Sequence, residues 1–140
     1  MTRWMRSGGR DPGRIAVFYA ILGPAFIALL GLVVDGGGKV RALQEAHNIA
    51  SEAARTAGQA IYAPGAILGE ETVLDPEAAV AAAEAYLNAT PATDHSVELS
   101  DDLQQLTITV EVSYDPIVLG FLDGGSWVVS GTVEATLVIG

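Results

Sequence analysis

The stretch IAVFYAILGPAFIALLGLVV, residues Ile15 to Val34, carries no charged side chain over twenty consecutive positions. At about 1.5 Å rise per residue, a helix of that length spans roughly 30 Å, the thickness of a bilayer's hydrocarbon core. A soluble core helix this apolar would need a domain large enough to surround it. A chain of 140 residues with a net charge of −10 has too little other apolar material for that. The stretch therefore reads as one membrane-spanning helix. Pro24 removes a backbone donor inside it and is expected to kink it. Ala16, Ala20, Gly23, Ala28 and Gly31 set small side chains near one side, where another helix could approach closely. Membrane helices are also rich in Gly and Ala for compositional reasons alone.

The flanks orient the span. Arg3, Arg6, Arg10 and Arg14 precede it with only Asp11 opposing, a balance of +3, so the positive-inside rule places residues 1–14 in the cytoplasm. Everything after Val34 is then extracytoplasmic, in a single-pass arrangement at the cell membrane. A cleavable signal peptide shares the pattern of basic flank and apolar run. Against it, the run exceeds the usual signal length, and Asp35-Gly36-Gly37-Gly38 follows in place of an Ala-x-Ala site.

The averages conceal this partition. Half the residues are hydrophobic and the mean hydropathy is +0.37, yet from Ala42 to Gly140 fifteen acids face a single base, Arg55. An acidic outer part cannot grip nucleic acid phosphates, which require clustered cations. With no cysteine there is neither a disulfide framework nor a thiolate nucleophile.

Beyond the span, Gly36 to Gly38 read as a flexible joint or a fray, since each glycine costs about 1 kcal/mol in a helix relative to alanine. Leu43, Ala46, Ala50, Ala53, Ala57 and Ala60 then recur at spacings of three and four, which predicts an amphipathic helix from about Val40 to Tyr62. Its alanine seam buries little area and suits close packing against a sheet or another helix. After a loop from Ala63 to Leu74, a second helix has clear start signals: Asp75 as N-cap, Pro76 at the first helical position and Glu77 in the first turn. It should end near Leu87.

The period then changes to two. Leu106, Ile108, Val110, Val112 and Tyr114 alternate with polar residues, Val97 and Leu99 begin a partner strand across a Ser100-Asp101-Asp102 turn, and Trp127 to Ile139 alternates again. Three antiparallel strands with one apolar face need a cover, and the alanine-rich helices provide it. The expected class is α+β: a transmembrane helix continuing into an amphipathic one, a second short helix, and a small three-stranded antiparallel sheet with scope for a fourth strand. The expected divisions are 1–14 basic and cytoplasmic, 15–34 spanning, 35–95 helical and 96–140 sheet, the last two forming one ectodomain.

Chemistry-bearing groups are sparse. His47 falls on the amphipathic helix next to Glu45 and Asn48, and His95 in a turn after Asp94, and both read as solvated side chains. No glycine-rich phosphate loop links a strand to a helix, so no catalytic residue and no cofactor is expected. Asp101, Asp102 and Asp123 lie in turns and are weak calcium ligand candidates, although turns favour aspartate for their own backbone reasons.

Four local patterns occur in order: Arg10-Asp11-Pro12-Gly13, the Gly23-Pro24 pair within the span, the Asp35-Gly36-Gly37 exit, and the helix LQEAHNIASEAARTAGQA from Leu43 to Ala60. Together they resemble the TadE/TadG-like proteins of tight-adherence (Flp-type) pilus assembly. The apolar Ile117 to Gly120 followed by a Val- and Ala-rich strand from Val128 to Leu137 is similar to that family's tail. The resemblance implies a pilin-like fold and a single-pass minor pilin, pseudopilin or accessory subunit. Its partners would be the lipid bilayer and other pilus or secretion-machine subunits, reached through the spanning helix and the acidic ectodomain, in a homo- or hetero-oligomer. Processing would fall at Gly13-Arg14. Phe18 stands five residues after Gly13, where processed pilin precursors carry glutamate, and this favours an uncleaved chain. Two other classes remain open: an envelope binding module displayed on an anchor, and a membrane-tethered hydrolase.

Overall fold

A computed structural model describes residues 12–60 and 74–137. Its first element, α1, is one uninterrupted helix of 46 residues, Pro12–Ala57, about 69 Å long at the standard rise. The apolar run forms its first half and the alanine seam its second. Gly36 to Gly38 lie inside it as ordinary helical residues, which corrects the expected joint. The glycine penalty is small beside what holds the helix on each side: the long apolar run before it, and the packing of Ala42 onward against a sheet. Helix α1 ends at Ala57, earlier than expected, and the backbone passes through a turn at Gly58 and Gln59.

Helix α2 spans Pro76–Asn88. Its N-cap is as expected: Asp75 Oδ1 accepts the amides of Glu77 at 3.0 Å and Ala78 at 3.3 Å. Three strands follow, β1 (Asp94–Leu99), β2 (Gln105–Tyr114) and β3 (Trp127–Thr136), with a one-turn helix, α3 (Gly120–Asp123), between the last two. The sheet is an antiparallel meander in the order β1-β2-β3. His95 belongs to β1, opposite Val110, and not to the preceding turn. The hairpin turn is tied by Ser100 and Asp102, with Leu103 at φ 59°.

Alternation builds the core. Leu106, Ile108, Val110 and Val112 of β2 all face inward with Val129 of β3, while Thr107, Thr109, Glu111 and Glu134 occupy the opposite face. The inner face is covered by α1, which lies on β2 and β3, and by α2, which lies on α1 and β1. Ala42, Ala46, Ala50, Ala53 and Ala57 form the buried stripe of α1, and Ala79, Ala83 and Leu87 that of α2. Leu43, expected on the seam, is exposed and Ala42 takes its place. The reason is distance. A Cβ built on Gly131 of β3 would stand 2.5 Å from the His47 amide nitrogen, so sheet and helix backbones nearly touch and only small residues fit between them.

Candidate functional site at the membrane boundary

Most of the spanning half of α1 stands clear of the rest of the chain. Only 6% of its most apolar window is buried, Ile21 is 70% exposed and Val33 is 73% exposed. In water that surface would be a large unpartnered apolar patch, whereas in a bilayer it is solvated. It is one helix long and apolar enough to cross a membrane.

Where the span ends, Asp35 is fully buried. Its carboxylate is met by the segment after β2. Oδ1 accepts the Ile117 amide at 2.7 Å, the Val118 amide at 3.2 Å and the Tyr114 hydroxyl at 3.3 Å. Oδ2 accepts the Val118 amide at 3.1 Å and the Leu119 amide. Three successive amides converging on one anion form a backbone nest, and the chain supplies both the nest and the anion. Burial alone would push this carboxyl up, but the amides of Leu119, Val118 and Ile117 and the Tyr114 hydroxyl outweigh it. The net effect holds Asp35 below its ordinary 3.8. Burial, then the neighbouring Asp35 charge, raises the Tyr114 phenol above its ordinary 10.0, which keeps it a donor.

Glycines make room for this clamp. A Cβ on Gly38 would sit 2.1 Å from the Tyr114 hydroxyl oxygen, so the phenol crosses the helix where no side chain stands. A Cβ on Gly31 would lie 2.8 Å from Val118 Cγ1. Beside the clamp the Tyr114 and Trp127 rings lie 6.3 Å apart, and Lys39 Nζ stands 5.7 Å from the centre of the Trp127 ring.

Residues 13–60 match the family described as "Putative Flp pilus-assembly TadE/G-like". The match contains the span, Asp35, all three glycines of the exit and the alanine seam, so the matched segment is nearly coextensive with α1. No curated protein and no solved structure matches the chain.

The expected residues fall on the structure as follows. Gly13 and Arg14 lie exposed in its first turn, and Arg10 and Asp11 fall outside the described residues. Ala16, Ala20 and Ala28 are exposed and Gly23 is half-buried. Gly31 is a correction: it is covered by Val118 and Leu119 of the same chain, so it is closed to a partner helix. Among the calcium candidates, the Asp102 carboxylate accepts from the Ser100 hydroxyl and the Gln104 amide, which explains it as a turn residue. Asp101 is exposed at the same turn, and the Asp123 side chain lies outside the described ones. Among the described residues no three acidic or histidine side chains gather as a metal site. Asp35, Tyr114 and Gly38, the centre of the clamp, are legible in sequence only as an exit residue, a strand residue and a joint glycine, and not as one site. The available signal was Asp35 itself, an acid directly abutting a twenty-residue apolar run.

Proposed function

We propose that this chain is a non-enzymatic, single-pass structural subunit of tight-adherence pilus assembly, a minor pilin or accessory component. Its N-terminus is cytoplasmic, and its α+β domain is presented outside the membrane to other subunits. The observation that carries this reading is the TadE/G-like match along α1, a helix whose first half suits a bilayer and whose second half is built into the sheet domain. The basic flank supports the orientation. Phe18, in the place of the glutamate of processed precursors, supports retention of residues 1–13. The acidic domain and the polar face of the sheet, with Asp94, Glu98, Glu111 and Glu134, suit a partner surface of opposite charge.

Affinity purification of the full chain from its native membrane in mild detergent tests the role. Co-purification of pilus or secretion-machine subunits is expected, and their absence alongside an unrelated envelope ligand would overturn it. Intact mass of the same preparation reads processing: retention of residues 1–13 is expected, and their loss would refute the uncleaved form.

A further inference from the structure

The segment between Asp115 and Asp123, PIVLGFL, carries no charge, yet Ile117 is 75% exposed and Phe121 is 89% exposed. It does not project into the space around the sheet. It runs back along α1 toward the span, where Val118 covers Gly31 and an apolar groove opens between Pro24, Ile27 and Ala28 on the helix and Ile117, Val118 and Phe121 on the loop. Gly31 lies one turn inside the span from Asp35, about 6 Å, and Ile27 about 12 Å, counting the helical rise. A loop at that depth faces hydrocarbon, where unpaired amides are costly. Here the amides of Ile117, Val118 and Leu119 are bonded to Asp35, and the Gly124 amide closes α3 on the Gly120 carbonyl at 2.7 Å. Immediately on the domain side stand Tyr114, Trp127 and Lys39, the residue types that favour the headgroup region.

We propose that Ile117 to Phe121 inserts into the leaflet nearest the sheet domain, lying against the spanning helix as a second membrane contact whose occupant is lipid acyl chain. Its exposed apolar surface is continuous with the exposed surface of the span, and the amides of Ile117, Val118 and Leu119 are paired with Asp35.

The inference rests on the span being in the bilayer, and the test separates the two. The cysteine-free chain accepts single probes at Phe121→Cys, Leu29→Cys in the span and Asp101→Cys at the far turn, each purified as the full chain into phosphatidylcholine–phosphatidylglycerol vesicles. A fluorophore on Phe121→Cys should be quenched by lipids carrying acyl-chain nitroxides as strongly as on Leu29→Cys. The free thiol should react several-fold more slowly than Asp101→Cys with a membrane-impermeant maleimide. Quenching at Leu29→Cys with none at Phe121→Cys would overturn the inference and place the loop outside the acyl chains. Absence of quenching at Leu29→Cys would overturn the anchor itself. Ile117→Cys repeats the reading should Phe121→Cys disturb the fold, which circular dichroism reports.

Discussion

At Asp35 a carboxylate gives up its water and keeps its charge, because four donors from a segment more than 75 residues away replace the hydration. Asp35→Asn leaves the size unchanged but turns one of the two acceptors into a donor facing amides. The full chain in detergent should then melt several degrees lower at neutral pH. The folded pKa lies below 3.8, so the carboxylate's contribution is complete above that value and is lost as pH falls through the lower folded one. The gap between wild type and Asp35→Asn should therefore be constant from neutral pH down to about the ordinary carboxyl range, and should narrow below it. A gap that grows with acid would contradict the clamp. Nothing local marks Asp35 as a clamp, since its partners are mostly backbone amides, which every sequence has. Only the chain path that brings Ile117 to Leu119 beside it gives the acid its role.

At the scale of elements, the glycines of α1 and β3 divide by what surrounds them. Gly36 and Gly37 have nothing within 4 Å of a built Cβ, whereas at Gly131 that atom meets the backbone of Ala46 and His47. Gly36→Ala and Gly37→Ala should each stabilise the chain by about 0.5–1 kcal/mol, the helical preference for alanine. Gly131→Ala should cost about 1–3 kcal/mol, as overpacking does. Chemical denaturation in detergent reads all three, and loss of stability at Gly36 and Gly37 would indicate a functional break there. Asp75→Ala should cost about 1 kcal/mol through the cap of α2, seen in the same melts. This cap and the alternation of β2 and β3 were legible because they depend on neighbours in sequence. The continuity of α1 was not: three consecutive glycines predict a break by propensity, and the apolar run before them and the packing of Ala42 onward after them override it. Leu43 was misplaced for a related reason, because periodicity gives a stripe but not the distance between backbones that admits only alanine.

For the whole molecule, charged and apolar residues sort into successive segments of the chain. A basic flank, an uncharged span and a domain with fifteen acids succeed one another in sequence, and that order was readable directly. Not readable was the return of the chain from β2 to the span, which makes the boundary between segments a built joint. With α1 unbroken and Asp35 clamped, this joint is expected to be rigid, so that the span and the sheet domain move as one body. Spin labels at Ile21→Cys in the span and Glu134→Cys on the open face of β3, in the otherwise cysteine-free chain in lipid nanodiscs, give the distance distribution between them. A single narrow distribution is the predicted result, and a broad one, as from two bodies pivoting at Gly36 to Gly38, would contradict it.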